Sequence, residues 1–185
     1  MAKLIPEKFK LKDGREVLLK SPIPDEWVKM RDFINLIKME SQNTFQFPGQ
    51  PVLEETATRA RIQKAADSSK SLCVDVEFEG RFIAQMDFWP VHSIEDHPWL
   101  KHNCYFGMTV IKEFWQQGLA RKLLEVLESE AKKMGYTHIR AEVRASNDRG
   151  VKLYTNFGFK ITGSKEEFAF IDGKFHDDLY ITKKI

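Results

Sequence analysis

Between Phe106 and Phe159 the chain changes its hydrophobic period repeatedly, from strand to helix to strand and then to a second short helix. The apolar run Tyr105 to Ile111 reads as a strand. It passes into Trp115-Gln116-Gln117-Gly118-Leu119-Ala120, and Leu119, Leu123, Leu124, Leu127, Ala131 and Met134 then recur at helical spacing, predicting a helix from about Gln117 to Met134. A strand that turns through a glycine directly into a helix leaves the first N–H groups of that helix without partners. The helix dipole adds a preference for negative charge at that end, so the turn is an anion site. Gly118 and Ala120 keep the backbone there free of bulk, and a pyrophosphate can approach it closely. Gly135 stops the helix, His138 to Val143 is the next strand, and Asn147 is placed to cap a helix that ends before Gly158.

Other phosphate-binding patterns fit this turn poorly. A Walker loop needs Gly-Lys-Ser/Thr, whereas Gly118 is followed by Leu119-Ala120. A dinucleotide fingerprint needs further glycines near the strand end, and here there is only Gly118.

The remainder of the chain supplies strands and helices around this unit. Asp13-Gly14 turns into a strand from Arg15 to Ser21, and Asp25 is expected to cap a helix whose buried face carries Trp27, Met30, Phe33, Ile34 and Ile37. After a polar, turn-rich tract from Glu40 to Pro51, a second helix is expected from about Val52 to Ala66. Leu72 to Phe78 and Arg81 to Trp89 are strands joined at Glu79-Gly80, followed by a loop from His92 to Asn103 and the strand Cys104 to Val110. Lys160 to Ile171 and Phe175 to Thr182 flank Asp172-Gly173, a strong hairpin signal. Strands interspersed with helices and closed by hairpins predict an α/β (α+β) fold, a mixed sheet with helices on both faces, in one domain over residues 1–185.

Composition narrows the function classes. A formal net charge of +2, with basic and acidic residues interspersed, gives no reason to expect nucleic acid or a membrane as a partner. No apolar run is long enough to span a bilayer and the N-terminus shows no cleavage pattern, so a cytoplasmic location is expected. Cys73 and Cys104 sit in strand-like runs without metal or redox spacing, which points to reduced thiols rather than a disulfide. His92, His97 and His102 lie on a turn-rich loop without a ligand pattern, and no metal is expected.

The glycine turn, together with Asn147, Gly150, Leu153, Tyr154, Gly158 and Phe159, resembles the acetyl-CoA-binding core of the GNAT acyltransferase superfamily. Its first motif, Q/R-x-x-G-x-G/A, is matched by Gly118 and Ala120, with Trp115 in place of the basic or amide residue. Its second, N-x-x-A/G-x-x-L-Y followed by G-F, is matched throughout. The resemblance implies the GNAT fold, with a mostly antiparallel mixed sheet. It also implies an N-acetyltransferase that passes an acetyl group from acetyl-CoA to a primary amine, on a small molecule or a peptide, in a ternary complex. An alternative is a sensor that binds acyl-CoA without turnover.

By the same resemblance, backbone groups on Met108, Thr109 and Val110 would hold the pantetheine arm. The turn Gln116, Gln117, Gly118, Leu119 and Ala120, with Arg121 beside it, would hold the pyrophosphate, and Asn147 would touch the arm. Tyr154 would protonate the departing thiolate. Many relatives carry a glutamate base where this chain has Tyr105, so that carry-over fails and either another side chain or a water relay takes the proton. Asp87 is the leading candidate, with Gln85, His92, His97, His102 and Glu95 behind it. Trp27, Phe45, Phe47, Trp89 and Trp99 lie near the expected acceptor side, although core packing is the expectation for each singly. Edge strands in the last hairpin suggest a homodimer.

Overall fold

The structure is a computed structural model that describes residues 3–93 and 96–185. Among the described residues it contains eight strands and four α-helices. They fall into two compact units, Met1–Trp89 with Gly107–Leu123, and Pro90–Phe106 with Leu124–Ile185.

In the first unit β1 (Glu7–Lys10), β2 (Glu16–Lys20), β3 (Leu72–Phe78) and β4 (Arg81–Pro90) form an antiparallel series in chain order. The β3–β4 turn is the expected Glu79-Gly80, both at positive φ (48° and 78°), the geometry of a type I′ hairpin. In β4, Phe82, Ile83, Ala84, Gln85 and Met86 are buried in succession, so this strand is covered on both faces. The first helix, α1 (Trp27–Glu40), buries Met30, Phe33, Ile34 and Ile37 at the predicted spacing. The second, α2 (Glu55–Asp67), starts later than the sequence suggests and buries only Thr58 and Ile62. Both Thr58 N–H and its hydroxyl donate to the Glu54 carbonyl, which ties down the start of α2.

Asp25 does not cap α1. It lies within a 3-10 turn, Pro24–Glu26, and its carboxylate pairs with Arg59 at 2.7 Å. Glu26 takes the cap position of α1 without a side-chain cap bond there; its Oε2 instead accepts the Ile23 N–H at 3.2 Å, closing the 3-10 turn. Glu26 and Glu77 also alternate with Lys20 and Lys29 in a closed ring of four ion pairs, each 2.5–3.0 Å.

The second unit pairs the start of β5 (Asn103–Val110) in parallel with β6 (His138–Arg144). β6 is antiparallel to β8 (Lys174–Lys184), which is antiparallel to β7 (Lys160–Ile171). The β7–β8 turn is Asp172-Gly173, again with both φ positive. A parallel pair requires a long crossover, and α3 (Leu119–Lys133) provides it. Gly135, at φ 87°, closes α3 in a Schellman motif: Tyr136 N–H bonds to Ala131 O and Gly135 N–H to Lys132 O. The last helix, α4 (Asp148–Asn156), ends in the same way at Gly158.

Several aromatics expected in the core are not there. Phe45, Phe47 and Trp99 are exposed, Trp89 is partly so, and Trp27 is half-buried with Arg31 over its ring. Proline and glycine in the tract around Phe45 and Phe47 keep it from forming a regular element that could turn those rings inward.

Candidate functional site

The hydrogen bonds of the glycine turn engage its carbonyls, Gln117 O by Lys12 N–H and Gly118 O by Lys122 N–H. Beyond β5, Ile111 N–H bonds to Ile83 O, and Lys112–Phe114 forms a 3-10 turn. Gln116 (φ 63°) and Gly118 (φ 87°) then take the left-handed conformation. Gly118 accommodates this freely; Gln116 does so at a cost of about 1 kcal/mol. Gly118 O accepts the first helical hydrogen bond of α3, from Lys122 N–H at 3.1 Å. The N–H groups of Leu119, Ala120 and Arg121 therefore precede the helical ladder and point along its axis. α3 begins at Leu119, two residues later than expected, because the left-handed Gly118 cannot join it.

Space and charge around the turn suit a phosphate group. A Cβ on Gly118 would meet nothing nearer than Lys12 Cε at 3.8 Å and Phe9 Cζ at 4.0 Å. The Lys12–Asp13 turn reaches over to hold Gln117: Lys12 N–H bonds to Gln117 O (3.3 Å) and Asp13 N–H to Gln117 Oε1 (3.2 Å). This places the Lys12 stem beside the turn, a cation that no local motif marks because it lies over a hundred residues away in sequence. Trp115 explains the departure from the motif: its indole N–H donates to Val110 O at 2.7 Å, tying the end of β5 to the turn. The Val110 carbonyl is thus already engaged. Met108, Thr109 and Val110 all lie on the half-buried end of β5.

The acceptor candidates of the first unit lie on one face of the β3–β4 hairpin. Cross-strand register sets Cys73 opposite Asp87 and Asp75 opposite Gln85. Gln85 is not available to a substrate: it is buried, and its Nε2 donates to Asp75 Oδ1 at 2.9 Å. Asp75 is fully buried, its Oδ2 has no hydrogen-bond partner, and desolvation raises its pKa to about 8, so it is a neutral acid at pH 7. Burial also drives the Cys73 thiol well above its ordinary value, with the Asp75 and Asp87 charges acting in the same direction. Such a thiol is a poor nucleophile.

Asp87 differs from its neighbours because it retains an opening. Its side chain is 30% exposed, and burial raises its pKa while the Arg61 charge opposes the rise. Arg61 Nη2 stands 3.7 Å from Oδ2. Oδ1 faces the bare backbone of Gly107: a Cβ there would sit 3.3 Å from Oδ1 and 3.8 Å from the Trp89 ring.

In the second unit, Asn147 caps α4, its Oδ1 accepting the Gly150 N–H at 3.1 Å. The same side chain explains the motif glycine, since a Cβ on Gly150 would lie 2.6 Å from Asn147 Nδ2. Tyr154 packs edge-on against Phe106 and Phe159, with ring centroids 5.6 and 5.8 Å away. Its ring is half-buried and desolvation pushes the phenol up to about 12, so it carries its proton at neutral pH. Of the remaining base candidates, the His92 and His97 rings meet tilted at 4.9 Å, and His102 bonds through its ring to Asn103 and packs edge-on against His138. Glu95 lies outside the described residues. Among the described residues no group of three or more His, Cys, Asp or Glu could hold a metal ion. No helix there is long and apolar enough to cross a membrane.

The chain resembles known proteins at three levels. Residues 32–159 match the model of the acetyltransferase (GNAT) family, and this match crosses both units. The [ribosomal protein bS18]-alanine N-acetyltransferase of Escherichia coli K12 is 37% identical over 70 residues, which is 37% of this chain and 47% of that enzyme. The chain therefore matches about half the length of this curated relative. An acetyltransferase of the GNAT family from Streptococcus pneumoniae superposes with a TM-score of 0.83 at 23% identity, over 91% of this chain and 99% of the other. A putative acetyltransferase from Salmonella typhimurium, solved with its cofactor acetyl-CoA, gives 0.76 at 15% identity, over 91% and 93%. The motif residues, the mixed and mostly antiparallel fold and the family match agree, and the chain belongs to the acetyl-CoA-binding GNAT family of acetyltransferases.

Proposed function

We propose that this protein, acting as one domain over its whole length, transfers the acetyl group of acetyl-CoA directly to a primary amine. The observation that carries the donor half is the Gly118 turn, with its left-handed glycine, open space and unladdered N–H groups. Gln116, Gln117, Gly118, Leu119, Ala120 and Arg121 hold the pyrophosphate, with Lys12 adding positive charge. Met108, Thr109 and the N–H of Val110 bind the pantetheine arm in the manner of an added strand. Asn147 adds a contact to that arm on the strength of the family motif.

On the acceptor side, Asp87 takes a proton from the incoming ammonium. Its raised proton affinity makes it a better base than an ordinary surface carboxylate. The neutral nitrogen attacks the thioester carbonyl carbon and the C–S bond breaks. Tyr154 gives its proton to the thiolate and is restored by the second proton the nitrogen loses; this role rests on the family motif and on the phenol remaining protonated. Neither cysteine suits a covalent acetyl-enzyme, since burial raises the pKa of both thiols. The reading fits a cytoplasmic protein with reduced thiols, and a homodimer through the exposed strand β7.

The test is thiol release from acetyl-CoA with a panel of amines, comparing the wild type with Tyr154→Phe. The reading expects acceptor-dependent release, and in the variant a kcat lower by about 10²-fold with acetyl-CoA affinity retained. Binding of acetyl-CoA without release for any amine would make the protein a sensor instead.

A further inference from the structure

The ion pair between Arg61 and Asp87 is incomplete in a way that describes its missing partner. At 3.7 Å it exceeds hydrogen-bond length, and no hydrogen bond joins the two groups. Elsewhere in the same unit arginine pairs close to 2.7–2.9 Å, as Arg15 and Arg81 do with Glu113 and Arg59 with Asp25 and Glu55. Arg61 projects from α2, a helix held by only two buried residues, and Asp87 is the one carboxylate within ion-pair reach of it among the described residues. The Arg61 side chain is 53% exposed. An open guanidinium and an open carboxylate thus stand side by side, the carboxylate turning its second oxygen toward the bare surface of Gly107.

We infer that the acceptor is a free α-amino acid, bound as a zwitterion with its ammonium on Asp87 and its carboxylate on Arg61. An α-amino acid carries its two charges about 3 Å apart by ordinary bond lengths. That separation matches the Arg61–Asp87 spacing with the signs reversed, so both charges find partners at once. A guanidinium also offers two N–H groups to one carboxylate, which fixes the orientation of the ligand as well as attracting it. A peptide N-terminus or a plain amine would satisfy Asp87 and leave Arg61 without a new partner. The bare Gly107 backbone packs close to Oδ1, where a Cβ would stand 3.3 Å away, so the amine approaches Asp87 on its Oδ2 side, beside Arg61. The inference rests on Asp87 being the acceptor-side base.

The test measures kcat/KM by thiol release for each of the common amino acids and the matching amino acid amides, on wild type, Arg61→Gln and Asp87→Asn. An amide's α-amine, like a peptide's, has a pKa near 8, so more of it is neutral at pH 7.5 and intrinsic reactivity favours the amide. The inference expects the opposite order: the best acid exceeds its amide by about tenfold or more, the effect of a hydrogen-bonded charge pair. Arg61→Gln reduces that ratio to within about threefold of unity, the size of an exposed ion-pair contribution. Amides or peptides used as well as acids, an acid-to-amide ratio unchanged in Arg61→Gln, or binding of acetyl-CoA with turnover of no amino acid would overturn it. Asp87→Asn separates the two ideas. Loss of turnover on every acceptor, without acid preference in the wild type, sinks the amino-acid inference and keeps the base. Turnover retained in Asp87→Asn sinks the base.

Discussion

Replacing Asp75 with Asn changes the pH dependence of stability in a direction that the structure fixes. Asp75 has no exposed surface, one oxygen bonded to Gln85 and the other bonded to nothing, and its pKa is raised to about 8 from an ordinary 3.8. A carboxyl that keeps its proton when folded and loses it when unfolded favours unfolding as pH rises. Its contribution is intact below about pH 4, declines by about 1.4 kcal/mol per pH unit, and levels off above about pH 8. At pH 7 the accumulated loss is on the order of 4 kcal/mol. Asn preserves the shape and the acceptor for Gln85 but does not titrate. Its own NH₂ group lies in the same unsatisfied position, which returns about 1–3 kcal/mol of that gain. Asp75→Asn is therefore expected to be more stable than wild type by about 1–3 kcal/mol at pH 7, and no more stable at pH 4.5. Urea unfolding followed by circular dichroism at half-unit steps from pH 4.5 to 8.5 measures the difference directly. Two curves that run parallel across that range would refute the assignment of a buried neutral acid at position 75.

Two further substitutions probe buried charge elsewhere. Arg144 and Asp178 face each other across β6 and β8 as a buried ion pair at 2.8 Å that misses hydrogen-bonding alignment. Arg144→Met leaves the carboxylate unpaired and should cost about 3–5 kcal/mol in urea unfolding at pH 7. Lys38 is buried in α1, and its ammonium donates to Asn35 Oδ1, Gln50 O and Pro51 O at 2.8–3.2 Å. Lys38→Met should release the tract that carries Phe45 and Phe47, seen as faster amide exchange over residues 41–54 and a stability loss of about 2 kcal/mol.

The legible parts of this protein were those fixed by local chemistry. Glycine at positive φ marked both hairpins, the C-termini of α3 and α4 and the anion turn, because other residues adopt that backbone at a cost. Asn147 was readable as a cap for a similar reason. Strand β1, with the sequence Glu7-Lys8-Phe9-Lys10, was not: apart from half-buried Phe9 its residues are exposed and it exists by pairing with β2, so periodicity had nothing to report. Leu72 to Phe78 reads as a strand, but a carboxylate such as Asp75 is ordinarily expected on a solvated side. In the folded chain that side of Asp75 is covered. A clue was present, since folding the hairpin at Glu79-Gly80 sets Cys73 and Asp75 against Asp87 and Gln85, and two facing polar pairs with two carboxyls are unusual for a plain surface. Arg61 and Lys12 were beyond reach, because their placement depends on tertiary contacts of α2 and the β1–β2 turn.

The central claim is that the Gly118 turn binds the pyrophosphate of acetyl-CoA, and calorimetric titration of acetyl-CoA into wild type and Gly118→Asp tests it most directly. A carboxylate at position 118 would stand beside the bound anion and strain a left-handed backbone at once. The account predicts saturable binding to the wild type and affinity lower by at least about tenfold in the variant, with both proteins folded by circular dichroism. Absence of binding to the wild type, or equal affinity in the two proteins, would contradict it.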